Sequence, residues 1–445
     1  MVMAIAIRTG EETRQVQMVC LDELVGQDDV LRRIEQRVDW ELVRETARPF
    51  YSDFGRPGVD PVVLVKVFLV AAIRGSDSMR ETLRIACVDL SVRRFLGYGL
   101  TEALPHHATF SYAQCVRFAN SSVFEQLFTQ VLASCRDAGL LDGSRLIVDA
   151  THVEANAALK SLRAELSVVE PAVEGAENAP VDEDLSREQE RPTLQLAAPR
   201  TGPTPKRKAS NATVLSRTDP DAKLRFKPGH RPHLVHRAQV ATDPKHRVIV
   251  AVHAEHATGH EADSLPVIID RARWLRHRVQ ELVADAGYAS GTVYESLDAR
   301  GITAYIPPQP NMRKSEHGQT ARTRCKSPVG VGAAIDRITH GEGAISEMKR
   351  HGAGRARCRG TRKLHVQLLL AATAINLKRL VTRNPAAENT AAGDQRTERG
   401  RNAAAERPNR GERDERAAIT AHIQIIHACL AALHNSASPT STTGS

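Results

Sequence analysis

Two absences bound this chain before any motif is read. Its seven cysteines (Cys20, Cys87, Cys115, Cys135, Cys325, Cys358 and Cys429) are odd in number and widely scattered, with no CxxC pair. That spacing suggests neither a disulfide framework nor a structural zinc cluster, and it fits a reducing cytosol. There is also no run of eighteen apolar residues and no basic leader followed by a long apolar segment, so membrane insertion is not expected. Charge is only mildly one-sided: 61 Lys and Arg against 52 Asp and Glu give +9, which permits a polyanionic partner without demanding one. At 445 residues the chain has room for two or three domains, or for one large domain with insertions and tails.

The stretch the rest is arranged around is RLIVDATHVEAN, Arg145 to Asn156. Leu146, Ile147 and Val148 form a short β-rich apolar run, and Asp149 interrupts it where a buried strand is expected to emerge. A carboxylate there is costly to bury unless a metal ion, a basic side chain or backbone donors hold it.

Before this stretch the chain reads as helical. Leu21, Leu24, Val30, Leu31, Ile34 and Val38 recur at helical spacing, and the FGRPGVDP turn (Phe54 to Pro61) hands over to two helices broken at Gly75. His106 and His107 offer a ligand-like pair, with a helix-cap loop as the commoner explanation. One amphipathic helix is expected from Val123 to Leu141. Residues 163 to about 215 lose all apolar periodicity, are acidic from Glu170 to Glu190 and basic at Lys206 to Lys208, and read as a polar insertion.

Order returns at Leu234 with two strands joined through Asp243 to His246, then a helix, a short run Leu282 to Ala284 ending in Asp285, another helix, and a strand at Ile302. This is a mixed α/β layout with two acids at strand ends. Residues 307 to 335 resist assignment. The helical GEGAISEMKR stretch carries Glu342 and Glu347, and a basic run follows: Lys349, Arg350, Arg355, Arg357 and Arg359. Leu364 to Leu380 is an apolar helix suited to covering one face of the sheet, and the last 60 residues are polar, with a helix-like patch at Ile423 to Leu433.

Asp149, Asp285 and a glutamate from the Glu342 helix form a constellation able to hold two divalent ions about 4 Å apart. Such ions generate a nucleophile and stabilise a departing oxygen in phosphoryl transfer. Hard oxygens without cysteine favour Mg2+ or Mn2+ over zinc. The same residues also suit a simpler arrangement of strand-end acids paired with arginines and a helix-start glutamate, in a DNA-binding or assembly protein without catalysis. Asp263 either approaches the acidic face or is the first-turn acid of its helix.

Taken together, YSDFGRPGVDP, GSDSMRETLRIACVDLSVRRFLGYGL, LPHHATFSYAQCVRFANSSVFEQLF, LIVDATHVEANA, VADAGYAS, GEGAISEMKR and RGTRKLHVQLLLAATAINLKRL resemble bacterial insertion-sequence transposases of the DDE class. The resemblance spans residues 50 to 380 and points to the IS1182 group within the wider IS4/IS5-like families. It implies an α-helical N-terminal DNA-binding and assembly domain (1–142) and an RNase H-like mixed sheet flanked by helices (143–380). A polar insertion at 163–215 and a disordered tail at 381–445 complete that layout.

By the same resemblance Asp149 is the first catalytic aspartate, Asp285 the second and Glu342 the glutamate, all three binding two Mg2+ or Mn2+ ions, with Glu347 the fallback. Double-stranded DNA is the implied partner, through Lys349, Arg350, Arg355, Arg357 and Arg359, with a homodimer in the DNA complex and a location in the bacterial cytoplasm. The chain departs from the pattern where AAIDRITHGEG replaces a tyrosine- and arginine-rich approach to the glutamate, and Gly341, in place of an apolar residue, is expected to loosen the helix start. An inactive DNA-binding remnant and a nonspecific metal-dependent nuclease therefore stay open as alternatives.

Overall fold

A computed structural model describes residues 18–52, 54–55, 57–76, 78–118, 120–164, 211, 214–226, 231–273 and 279–382. Most of the polar insertion and the C-terminal segment, with its helix-like patch at Ile423 to Leu433, lie outside these residues.

Among the described residues the chain opens with eight helices: α1 (Leu21–Leu24), α2 (Val30–Glu35), α3 (Trp40–Ala47), α4 (Pro61–Arg74), α5 (Met79–Val88), α6 (Leu90–Leu96), α7 (His107–Tyr112) and α8 (Val123–Asp137). The limits of α4 follow from its sequence. Asp60 caps its first turn by accepting from the Val62 N–H, and Pro61 occupies the position where a missing N–H costs nothing. At the other end Gly75 is left-handed (φ 64°), and the Ser76 N–H returns to the Ala71 carbonyl. Eleven of the fourteen α4 residues are buried, the mark of a helix apolar on nearly every side.

The strands follow: β1 (Arg145–Glu154), β2 (Leu162–Ala164), β3 (Val214–Ser216), β4 (Lys223–Arg225), β5 (His233–Asp243) and β6 (Val248–His256). Next come α9 (Leu265–Arg273), β7 (Glu281–Val283), α10 (Gly291–Ala299) and β8 (Thr303–Tyr305). β2 pairs with β3, so the two ends of the polar insertion close on a small ribbon of their own. In the main sheet the order is β4-β5-β1-β7-β8, with β6 also on β5. β6, β5 and β1 run antiparallel, and β1, β7 and β8 run parallel. With helices flanking this mixed sheet, the architecture is RNase H-like. β1 does not stop at Asp149 as the sequence suggests. It runs on to Glu154 because β5 pairs with it over that whole length, from Ile147 opposite Thr242 to Glu154 opposite Val235.

The segment that resists assignment from sequence is largely helical, with α11 (Glu316–Lys326) and α12 (Pro328–Asp336). A π-helical stretch Arg337–Glu342 and α13 (Gly343–Met348) follow, and the helical run ends at a kink where His351 and Gly352 (φ 86°) leave helical geometry. The last helix, α14 (Thr361–Thr382), is long and apolar enough to cross a membrane by length and composition, yet 89% of that window is buried inside the protein. It packs against β6, α8, α4 and α2, joining sheet and helices in one core. Asn376 in its middle has a specific partner. The β5–β6 register slips at Ala241 and Thr242, and the Asn376 side chain both accepts from the Ile249 N–H (3.0 Å) and donates to the Ile249 carbonyl (2.8 Å). A bulge in the buried sheet is thereby satisfied by the helix across it.

Candidate active site

The last parallel rung between β1 and β7 joins Ile147 to Val283. Side chains on a strand alternate, so residues two positions further along return to the same side of the sheet. Those residues are Asp149 and Asp285. Ile147, Val283, Tyr305 and Ala333 form a small buried cluster, which places α12 over this side, and the two acids come just past its edge. Beyond Ile147, β1 has no ladder to β7, and Asp285 turns away as the cap of a short 3-10 turn by accepting from the Gly287 N–H (2.8 Å).

Glu342 arrives from above on the helical run that begins at α12. Arg145, at the start of β1, pairs with Glu281 on β7 at 2.7 Å and also with Asp336, which ties α12 to the sheet. Gly341 is buried against β1: a Cβ there would stand 3.0 Å from Ile147 Cγ2 and 3.8 Å from Asp149 Oδ2. The expectation that Gly341 loosens the helix start is thus corrected, since the glycine lets the helix pack directly on Ile147, where a side chain would crowd it. The Arg337 guanidinium lies between two acids, 3.4 Å from Asp149 and 3.5 Å from Glu342. Asp149 is 13% exposed and Glu342 57% exposed.

Burial pushes the Asp149 carboxyl above its ordinary range. Arg337 and the Ala150 N–H pull it down, and Asp285 and Glu342 push it up again. Glu261 joins the group unannounced by the sequence. Its Oε2 and Asp285 Oδ1 both lie against Gly287, where a Cβ would meet them at 2.6 and 2.9 Å. Burial raises Glu261, Asp285 raises it further, Arg237 opposes, and Asp149 and Glu255 add to the rise. Tyr288, fully buried beside these carboxylates, has a hydroxyl without a hydrogen-bond partner among the described residues. Asp263 is a helix-start residue: it accepts from the His260 N–H in a capping box.

Glu347 faces elsewhere. It pairs with Arg379 of α14, both side chains being mostly buried. His106 is itself the cap of α7, accepting from the Ala108 N–H, with its ring tilted against His107; the cap expected at Thr109 or Ser111 is corrected, since both lie inside the helix. Of the basic run, Lys349, Arg350, Arg355 and Arg359 are exposed. Arg357 is not an open phosphate contact, because it is partly buried and donates to the Ser76 carbonyl at 2.6 Å. His351 Nδ1 donates to the Ala72 carbonyl at 2.8 Å, a second donor beside the Gly75 N–H, so this segment is fastened to the end of α4.

Among the described residues, no three His, Cys, Asp or Glu side chains stand close enough to enclose a metal ion. The chemistry of the set nonetheless fits a hard divalent cation. The donors are carboxylate oxygens, Asp149 and Glu261 carry charge that burial disfavours, and Arg337 is the cation found between Asp149 and Glu342.

Two family models match the chain. One, described as Transposase domain (DUF772), covers residues 19–114, and the other, described as Transposase DDE domain, covers residues 140–377. No curated protein and no solved structure matches.

Proposed function

The chain belongs to the transposase DDE domain family, and from that premise we propose that it cuts DNA at the ends of an insertion sequence of the IS1182 group and joins those ends to target DNA. The observation that carries the reading is the shared register of Asp149 and Asp285. Two acids on one side of a sheet, one of them buried, with Glu342 held over them by a glycine, form an acidic centre that a neutral fold would avoid.

In this reading Asp149, Asp285 and Glu342 hold Mg2+ or Mn2+. When bound, the ions supply Lewis-acid polarisation of the attacking oxygen and stabilisation of the departing one. Arg337 balances part of the negative charge at Asp149 and Glu342. Lys349, Arg350, Arg355 and Arg359 present exposed positive charge to the DNA backbone, arginine by two-pronged contact with phosphate. Joining two element ends calls for two copies of the chain on the DNA, in the cytoplasm of a bacterial cell.

A second reading has one observation in its favour. Arg337 pairs with two of the three acids, and among the described residues no ligand set closes, as suits a remnant that binds DNA without cutting it. The test is incubation of purified protein with a labelled duplex carrying the element ends, beside an unrelated duplex, with and without Mg2+ or Mn2+. Metal-dependent cleavage at the element boundary alone supports the transposase. Cleavage of both duplexes indicates a nonspecific nuclease, and binding without cleavage indicates the remnant.

A further inference from the structure

The cysteines that look scattered in sequence are not all scattered in space. Cys115 lies on the π-helical turn Ala113–Arg117 after α7, and Cys358 on the loop before α14, 243 residues away. Their Sγ atoms are 2.9 Å apart. Both are partly exposed, and they line an open cleft of about 470 Å3 together with Asn156, Arg359 and Lys363. Cys135 provides a contrast: it is buried, and burial pushes its thiol up to about 12, so it is inert.

We propose that Cys115 and Cys358 are a reversible oxidation site, converted by a peroxide into a disulfide that fastens the helical region to the 349–360 segment. The distance to close is less than an ångström, since a disulfide bond measures about 2.05 Å. Arg357 on Ser76 and His351 on Ala72 already hold the segment beside Cys358 against the end of α4, and the sulfurs themselves are in contact, so no large movement is required. Cys115 is the attacking sulfur. The hydrogen bond from the Cys358 thiol lowers its pKa, and the Lys363 charge lowers it further against the effect of burial.

The Cys115 thiolate attacks one peroxide oxygen, the O–O bond breaks, and hydroxide leaves to take a proton as water. Cys115 is then a sulfenic acid. The Cys358 sulfur attacks Cys115 Sγ, the S–S bond forms, and the sulfenic oxygen leaves as a second water carrying the Cys358 proton. Two electrons pass from the sulfurs to the peroxide, and a thiol reductant reverses the change. The oxidation does not rest on the proposed DNA cleavage, because neither sulfur belongs to the acidic centre, although Arg359 of the proposed DNA contact lines the same cleft.

The experiment uses the full chain, reduced and then treated with stoichiometric hydrogen peroxide. Expected are the loss of two of the seven thiols, a non-reduced peptide map linking Cys115 to Cys358, and full recovery on treatment with dithiothreitol. Cys358→Ser should stop Cys115 at the sulfenic acid, which dimedone traps. Amide exchange across residues 349–360 should slow at least several-fold in the oxidised form. Seven free thiols after peroxide, a link to any other cysteine, or direct conversion of Cys115 to sulfinic acid in the unchanged protein would overturn the proposal.

Discussion

Ile147 faces Val283 in the last parallel rung between β1 and β7, and this single pairing brings Asp149 and Asp285 to the same side of the sheet two residues later. A shift of one residue in that rung would turn one acid to the opposite face. The acidic centre therefore depends on the apolar residues that set the register as much as on the acids.

The two candidate glutamates differ in what each holds. Glu342 is more than half exposed, whereas Glu347 neutralises Arg379, whose side chain is 12% exposed. Glu347→Ala should cost about 3 kcal/mol of stability by leaving a buried cation unpaired. Glu342→Ala should leave stability within about 0.5 kcal/mol. Urea unfolding of the two variants checks this difference.

Asp149 has a raised pKa in the folded chain, so its ionised form is disfavoured there. The folded state binds the proton more tightly than the unfolded state, and stability falls as pH rises from the unfolded value near 3.8 through the raised folded value. Asp149→Asn should then be more heat-stable than the unchanged protein at neutral pH, by about 1–2 °C. That advantage should shrink toward pH 4. Millimolar Mg2+ or Mn2+ should raise the midpoint of the unchanged protein and not of the variant, in thermal melts taken across pH with and without metal.

Gly341 and Gly332 make a matched pair. A Cβ at Gly341 meets Ile147 at 3.0 Å, whereas one at Gly332 meets nothing within 4 Å. Gly341→Ala should destabilise by about 1–3 kcal/mol through overpacking. Gly332→Ala, inside α12, should stabilise by roughly 0.5–1 kcal/mol. Equal effects in denaturant melts would mean that Gly341 does not pack on β1 as described.

Asn376→Leu removes the side chain that satisfies both polar groups of Ile249. Two buried backbone groups would lose their partners, at a cost of about 1–3 kcal/mol each. Amide exchange at Ile249 should accelerate in step with the global loss.

Much of this was legible in the sequence because it rests on local signals. Asp60, Pro61 and Gly75 mark the ends of α4, and apolar runs ending in Asp149 and Asp285 mark β1 and β7. Less legible were features made by contacts across the chain. Asp149 lies within β1 because β5 pairs past it, which periodicity cannot reveal. Glu261 reaches Asp285 only because Gly287 leaves room, and Arg337 meets Asp149 across 188 residues. Arg357 looked like one more member of a basic run until Ser76 came beside it.

The central claim is that Asp149, Asp285 and Glu342 act together on DNA. Its most direct test is single-turnover cleavage of a duplex bearing the element ends, in Mn2+, by the unchanged protein, Glu342→Gln and Glu347→Gln at equal folded concentration. Cleavage should fall on the order of 10^3-fold in Glu342→Gln, as it should in Asp149→Asn and Asp285→Asn, and stay within about threefold in Glu347→Gln. Cleavage that survives in Glu342→Gln and vanishes in Glu347→Gln would contradict the account.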